Sequence, residues 1–188
     1  MILDIVQYGE QVLRKKCKPV ETIDADLEKF VKDMVETMRD ADGVGLAAPQ
    51  VGVDIRLAVV EVFQDPEEPM FCKVDGEDVD MESIMPLVFI NPELELSGPQ
   101  EAAQEGCLSI QEIRAKVKRP TIVKATLPQL DGSTITLEAD GLLARAIQHE
   151  TDHLNGILFT DRISTAAKTR LRRKLKDLAN TKWEYRRD

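Results

Sequence analysis

The sequence of 188 residues contains only three cysteines, and it has neither a long apolar run nor a basic leader. An odd number of irregularly spaced cysteines argues against a disulfide framework. No stretch approaches the roughly 18 consecutive apolar residues that a membrane span needs. The first seven residues lack the basic region and apolar run of a secretory signal. We therefore expect a protein of the reducing cytoplasm that has no membrane partner.

The charge is negative overall and unevenly distributed. The chain has 25 Lys and Arg residues against 34 Asp and Glu residues, a formal net charge of −9. This balance argues against a DNA-binding surface over the whole protein. Residues 161–188 nevertheless contain ten basic residues and four acidic ones. Such a segment indicates one localised contact with an anionic partner, or else a solvated helix face.

Three helices are predicted by the spacing of apolar residues and by capping signals. Over residues 24–40 the apolar positions recur at three- and four-residue steps, which predicts a core-facing helix with Asp24 as its N-cap. Residues 141–155 predict a second helix that follows Asp140 as cap and ends before a glycine. The basic segment 164–188 predicts a third helix at the end of the chain.

Short alternating segments separated by tight turns predict antiparallel sheet. The predicted strands cover residues 55–63, 86–90, 113–118, 121–127 and 133–137. Between the first two strands, residues 64–85 are acidic and lack periodicity, which predicts a surface excursion or a β-flap. With no internal repeat and no long linker, residues 1–188 are expected to form a single α+β domain.

The chain's two histidines, His149 and His153, bracket Glu150 within the second predicted helix. At about 100° of rotation per residue, positions four apart differ by about 40°, so both imidazoles share one helix face. Glu150 lies at the border of that face, where a carboxylate can reach water at a metal without being a ligand. This His-Glu-x-x-His arrangement is typical of hydrolytic metal sites. The alternative is a pair of structural histidines at helical spacing.

A third ligand has to come from elsewhere in the chain, because a catalytic site takes three protein ligands and one open position. The sequence has no third histidine, and no glutamate occurs between residues 154 and 183. A thiolate is the better candidate, and Cys107 is the best placed, in a glycine-flanked turn that enters a strand. The weaker candidates are Cys17, Cys72, Asp161 and Asp177.

Three motifs together resemble the signature motifs of the peptide deformylase family, in the right order. They are Gly-Val-Gly-Leu-Ala-Ala-Pro-Gln at residues 43–50, Glu-Gly-Cys-Leu-Ser at residues 105–109 and Gln-His-Glu-Thr-Asp-His-Leu-Asn-Gly at residues 148–156. The resemblance extends over most of the chain. The sequence departs from the family at Gln111, where proline is frequent, and in the length of the 64–85 excursion.

The resemblance implies a fold and an activity. The fold is α+β, with antiparallel β-sheets packed around a central metal-binding helix, an N-terminal helix and a basic C-terminal helix. The activity is metal-dependent removal of the N-formyl group from the N-terminal formyl-methionine of newly synthesised proteins, with release of formate. It also implies that Cys107, His149 and His153 hold one metal ion. Ligand softness favours zinc, whereas the family implies Fe²⁺, with Ni²⁺, Co²⁺ or Zn²⁺ as substitutes.

The family also implies roles for residues around the metal. Glu150 acts as general base and then general acid, while the Gln50 amide and the backbone N–H of Leu108 stabilise the oxyanion. The residues implied in substrate binding are Val44, Gly45, Glu105, Leu142, Ala146 and Arg114. The implied partners are N-formyl-Met nascent peptides and, through the basic C-terminal helix, the ribosome of a bacterial-type cytoplasm.

Two other functions fit parts of the sequence. The histidine motif alone is compatible with a zinc endopeptidase, although the downstream glutamate of such enzymes is missing. A catalytically silent binding module with a structural metal is compatible with the ligands, although such a module needs neither Glu150 nor Gln50. Hydrolysis of an N-blocked, unformylated peptide at an internal bond would favour the first of these alternatives.

Overall fold

The computed structural model describes residues 1–185, and residues 186–188 lie outside the described part. The described chain forms α1 (Ala25–Asp40), α2 (Gly141–Leu154) and α3 (Thr165–Asn180), together with antiparallel sheets. This confirms the predicted α+β class. Helix α3 ends before the terminal segment, and two bases of the predicted tail, Arg186 and Arg187, lie outside the described residues.

Eight strands form two antiparallel sheets within residues 1–185. In chain order they are β1 (Gly45–Ala47), β2 (Leu57–Val60), β3 (Cys72–Val74), β4 (Glu77–Asp78), β5 (Leu87–Ile90), β6 (Glu93–Cys107), β7 (Ile110–Pro128) and β8 (Thr134–Ala139). The smaller sheet has the order β1-β2-β5 and the larger one β4-β3-β8-β7-β6.

The smaller sheet is covered on both faces, and this explains its apolar strands. Leu57 and Val59 of β2 face a cluster that includes Met34 and Met38 of α1. The alternate residues of the sheet belong to a second cluster, with Ile147 of α2. Because successive side chains of a strand point to opposite faces, a strand covered on both sides shows a continuous apolar run instead of alternation.

The larger sheet is built on a long hairpin of β6 and β7 that the sequence pattern shows only in part. Residues 113–118 and 121–127 belong to one strand, β7, whereas β6 was not predicted at all. Its pattern is interrupted by Gly98 and Pro99, which lie at a register shift between Ser97 and Gln100. Bulges accept glycine and proline inside a strand, so the hairpin continues where the sequence predicts a break.

The 64–85 segment contains an antiparallel pair of short strands, as the β-flap alternative predicted, and it is more buried than a surface excursion would be. It contains β3, β4 and a 3₁₀ turn at Met81–Ile84, and β3 pairs with β8 in the larger sheet. Cys72 and Met81 are buried in the main core cluster. Strands of two or three residues are too short to produce a recognisable alternation, so the sequence did not predict the bounds of β3 and β4.

Helix α2 contacts both sheets, through β1 and β2 on one side and β7 on the other. Asp140 precedes the helix as predicted, but its side chain does not cap it. Instead, Asp140 Oδ1 accepts a hydrogen bond from Phe71 N at 2.9 Å, because the 64–71 segment passes over this helix end. Among the described residues, no helix is long and apolar enough to cross a membrane.

Helix α1 allows a direct test of its N-cap. Asp24 Oδ1 accepts a hydrogen bond from Leu27 N at 2.9 Å, and capping of this kind contributes about 1 kcal/mol. We expect Asp24→Ala to lower the free energy of unfolding by about 1 kcal/mol in urea denaturation. Asp24→Ser retains a capping oxygen and should stay within about 0.5 kcal/mol of the native chain. Equal losses in both variants would contradict the cap.

Candidate metal centre and active site

Cys107 lies at the end of β6, and His149 and His153 lie on one face of α2. One donor atom from each residue lies within 4.8 Å of the other two. Cys107 Sγ is 3.3 Å from His153 Nε2, and the two imidazole centroids are 5.0 Å apart. Of the cysteines and aspartates weighed as third ligand from the sequence, only Cys107 belongs to this group.

The spacing and chemistry of these donors fit a divalent metal ion. Ligand distances of about 2.3 Å for sulfur and about 2.0–2.1 Å for nitrogen place tetrahedral donors about 3.3–3.6 Å apart. Thiolate and imidazole suit zinc and iron. Glu150 Oε2, a buried atom on the same helix, has no hydrogen-bond partner among the described residues. The residues present therefore fit a metal cofactor beside a free carboxylate oxygen.

The orientation of His149 is fixed by Glu105. Its Nδ1 lies 3.0 Å from Glu105 Oε2. Burial alone would raise the pKa of Glu105, but hydrogen bonds from His149 and Arg119 hold that pKa well below its ordinary value. An ionised carboxylate only accepts hydrogen bonds, so Nδ1 of His149 carries the proton. Because Nδ1 carries a proton, Nε2 is the nitrogen that the ring would offer to a metal ion.

Glu105 belongs to a buried network of ion pairs that joins the hairpin to α2. Arg119 of β7 donates to both Glu105 oxygens, at 2.6 and 2.9 Å, and to Asp152 Oδ2 of α2 at 2.8 Å. Arg162 donates twice to Asp152, at 2.6 Å each. Arg145 donates to Glu105 Oε1 at 2.9 Å. Because each buried charge has a partner of opposite sign, the network can hold its members in one geometry.

Glu150 is buried beside the cluster, and burial raises its pKa to about 7. A carboxyl group with a pKa near neutrality can both accept and donate a proton at physiological pH. Its side chain lies directly against Gly45: a Cβ on that residue would stand 2.8 Å from Glu150 Cδ. Only glycine permits this approach, so the motif at residues 43–50 contacts helix α2 at Gly45.

The Gln50 side chain also lies beside the metal-ligand group, next to Cys107. Its Oε1 accepts a hydrogen bond from Ala47 N at 2.9 Å. Its Nε2 lies 3.3 Å from Ser109 Oγ and 3.4 Å from Cys107 Sγ. With the oxygen held by the backbone, the amide N–H groups are directed toward the metal centre.

A cavity of about 660 Å³ opens beside the cluster. Its lining includes the predicted substrate residues Val44, Gly45, Glu105, Leu142, Ala146 and Arg114, and also Gln50, Leu108, Cys107, His149 and Glu150. Val44 and Leu142 remain 46% exposed at its mouth, whereas Ala146 is buried. The Glu105 carboxylate lines the cavity, but its oxygens already accept hydrogen bonds from His149, Arg119 and Arg145.

Sequence reasoning missed the residues behind this site. Arg119, Asp152 and Arg145 were not singled out, although Asp152 lies inside the His-Glu-x-x-His motif. Ser109 was quoted as part of a motif without a role. One signal for Arg119 was available. In the alternating pattern of β7 it occupies a buried position, like Ala115 and Val117, and a buried arginine needs an acidic partner.

Comparison with known proteins agrees with the motifs. The polypeptide deformylase family model matches residues 2–169. A peptide deformylase of Clostridium botulinum is 48% identical over 159 residues, which cover 85% of this chain and 95% of the relative.

Solved structures show the same fold. The crystal structure of a peptide deformylase from Synechococcus elongatus in complex with actinonin is 40% identical with a TM-score of 0.75, covering 94% of this chain and 83% of that one. The peptide deformylase from Legionella pneumophila is 37% identical with a TM-score of 0.77, covering 94% and 95%.

The chain belongs to the polypeptide deformylase family. It is a hydrolase of protein biosynthesis that removes the N-formyl group from nascent peptides. The family and the group of Cys107, His149 and His153 together support a metal cofactor. This activity replaces the endopeptidase and the silent binding module that the sequence left as alternatives.

The hydrogen bond between Glu105 and His149 predicts an effect on metal affinity. Glu105→Gln keeps the shape of the side chain but removes its charge, and loss of such a partner typically costs 10- to 100-fold in metal affinity. We expect a loss of about this size in competition with a chelator, measured where circular dichroism shows the variant folded. Glu101→Gln, an exposed change on the same strand, is the control. Equal affinities in both variants would contradict the role of Glu105.

Proposed function

We propose that Cys107, His149 and His153 hold one divalent metal ion, which makes α2 the metal-binding helix at the centre of the fold. The observation that carries this proposal is the convergence of three donor atoms within 4.8 Å, from a hairpin and a helix far apart in sequence. When bound, the ion supplies Lewis acidity, which polarises a carbonyl and makes water a stronger acid. The single domain 1–188 is then organised around this helix.

Ferrous iron is proposed as the working metal. The resemblance to the family implies Fe²⁺, and imidazole ligands are compatible with iron, nickel and zinc. The same three donors would therefore also hold Ni²⁺, Co²⁺ or Zn²⁺. The three cysteines of the chain are free thiols, which is compatible with action in the reducing cytoplasm, where nascent chains emerge.

Glu150 is proposed to handle the proton in the reaction. Its Oε2 is buried and free of protein partners within the described chain. The carboxylate accepts a proton from the water that attacks the formyl carbon, and it later donates that proton to the leaving amine. The C–N bond breaks, and formate and a free N-terminal amine result. A pKa raised to about 7 by burial suits both steps.

Gln50 and Leu108 are proposed to stabilise the negative charge that develops on the formyl oxygen. The Gln50 amide is fixed through its own oxygen, and the backbone N–H of Leu108 belongs to the turn that follows Cys107. Donors held in place before the reaction need no reorganisation when charge develops. Such donors act most strongly at a buried site.

The rest of the cavity is proposed to bind the peptide. Gly45 and its neighbours offer an extended backbone for strand-like docking, and Val44, Leu142 and Ala146 offer apolar surface to the methionine side chain. Arg114 lies further along the cavity lining and is proposed to contact the peptide beyond the methionine. Glu105, which was predicted to touch substrate, acts on this proposal through His149.

Replacement of Glu150 tests the proposed chemistry. Glu150→Gln keeps the shape and removes the base, and general acid–base catalysis typically contributes 10²- to 10⁴-fold. We expect formate release from a formyl-Met tripeptide to fall by about 10²-fold or more, with the metal content unchanged. Glu138→Gln, a half-buried change on β8 outside the cavity lining, is the control.

The starting protein for this assay is purified without oxygen, and its metal is identified before the rate is measured. Iron as the predominant active metal would support the assignment of Fe²⁺. Full activity in Glu150→Gln would contradict the role of this residue. Formate release that fails in the metal-loaded native protein would contradict the deformylase site itself.

Helix α3 is proposed to bind the ribosome through its exposed basic side chains. Ala167 and Leu175 are buried against the core. Five bases of the helix are exposed and take part in no ion pair within residues 1–185: Lys168, Arg170, Arg172, Arg173 and Lys176. In a protein with a net charge of −9, such a concentration of free cations fits an RNA surface.

Charge reversal tests this contact better than deletion, because deletion would expose the buried face of α3. We expect the triple change Arg172→Glu, Arg173→Glu and Lys176→Glu to weaken co-sedimentation with ribosomes by about tenfold or more at physiological salt. Lys32→Glu on the exposed face of α1 is the control. Unchanged binding in the triple variant would remove the proposed role of α3.

A further inference from the structure

The turn that carries Leu108 depends on contacts from outside the hairpin. Leu108 and Ser109 form a two-residue turn between Cys107 and Ile110, which pair with each other. Neither turn residue has a positive φ, since the non-glycine residues with positive φ in the described chain are others, Glu112 among them. Two-residue hairpins favour turns with positive φ, because those match the twist of the strands. The backbone of this turn therefore does not by itself match the twist of β6 and β7.

The N-terminal segment supplies the missing contacts. Gln7 Nε2 donates to Leu108 O at 3.1 Å and to Ile5 O at 3.1 Å. Tyr8 N donates to Ser109 O at 2.8 Å. Both carbonyl groups of the turn are therefore bound by two consecutive residues near the start of the chain, which fixes the orientation of its peptide units.

The same segment also holds the other proposed oxyanion donor. Val6 N donates to Gln50 O at 2.9 Å. Residues 6–8 thus contact both the backbone of Gln50 and the turn of Leu108, and they reinforce the direct hydrogen bond from Gln50 Nε2 to Ser109 Oγ. Val6 and Tyr8 also pack against the core cluster that contains Leu13 and Ile110, and the mechanism proposed above makes no use of residues 6–8.

Gln7 is the residue of this segment whose side chain donates a hydrogen bond to the turn. The residue is 4% exposed, and its backbone N–H donates to Tyr185 Oη at 3.2 Å. A buried amide fixed at its backbone and donating twice through Nε2 has little freedom to reorient. Its removal would leave the Leu108 carbonyl without this donor while leaving the metal ligands untouched.

We infer that Gln7 is a positioning residue for deformylation, which holds the Leu108 turn so that its N–H stays aligned with the Gln50 amide. The inference rests on the oxyanion roles proposed above. Gln7 touches neither metal nor substrate, and it acts through the backbone of Leu108. Its effect should therefore appear in the chemical step and not in the binding of the peptide.

Gln7→Met tests the inference, because methionine has a similar length and no donor. We expect kcat for a formyl-Met tripeptide to fall about tenfold, less than the 10²- to 10³-fold typical of losing an oxyanion donor itself. KM should stay within about twofold, and metal content should be unchanged. Gln7→Asn, whose amide is one methylene too short to reach Leu108 O, should show the same kcat loss and serves if the methionine variant does not fold.

Two further variants separate positioning from general loosening. Thr37→Val removes the hydrogen bond from Leu3 N to Thr37 Oγ1, 2.9 Å long, which holds the N-terminal chain four residues before Gln7 and involves no atom of the Leu108 turn. We expect it to keep native kcat. Gln7→His places a ring N–H at the same number of bonds from Cα as Gln7 Nε2, so it should recover most of the lost kcat.

The outcomes distinguish this inference from the proposed function. Native kcat in Gln7→Met and Gln7→Asn, or an equal loss in Thr37→Val, would overturn the role of Gln7. A loss confined to KM would overturn it as well. If the native, metal-loaded protein itself released no formate, the proposed site would fail first, and this would be visible before any variant is compared.

Discussion

The site depends on the buried ion pairs that join the β6–β7 hairpin to helix α2. Arg119 binds Glu105 on one side and Asp152 on the other, so a strand, its partner and a helix are held at one point. Glu105 in turn orients His149. This contact helps to set the distance between Cys107, at the end of β6, and the histidines of α2, together with hydrogen bonds from Arg145 to Val117 O and from Gln148 to Pro120 O.

The network stabilises the fold only if the attraction between its charges exceeds the free energy of removing them from water. Taking several charges out of water is expensive, and only complete pairing compensates for it. Here each carboxylate has at least one arginine, and Glu105 also binds the imidazole. The apolar side chains around α2 exclude water from the same region and raise the pKa of Glu150. The same region of the protein thus keeps Glu105 ionised and raises the pKa of Glu150 to about 7, although both are buried glutamates.

Local features of the sequence predicted the parts of the fold whose signals are local. The apolar period of α1, its cap at Asp24 and the shared face of His149 and His153 all follow from positions a few residues apart. The hairpin was predicted only in part, because Gly98 and Pro99 interrupt β6 at a bulge. The prediction that the Asp140 side chain caps α2 was wrong for a similar reason. Its partner is Phe71 N, which belongs to a segment with no periodic pattern.

The donor group was reached by elimination among residue types together with a family resemblance, and the structure then supplied the distances. The supporting contacts could not be reached in this way. The pairing of Arg119 with Glu105 depends on the register of two strands, and that of Gln7 with Leu108 joins residues 101 positions apart. Such contacts leave no periodic trace in one sequence, so they become visible only in three dimensions.

The proposed function requires a hairpin thiolate and two helix imidazoles to share one metal ion. X-ray absorption spectroscopy at the edge of the metal, on protein purified without oxygen, measures these neighbours. We expect one sulfur and two imidazole nitrogens around the ion, with the sulfur signal lost in Cys107→Asp. A native spectrum with nitrogen and oxygen neighbours but no sulfur would contradict it.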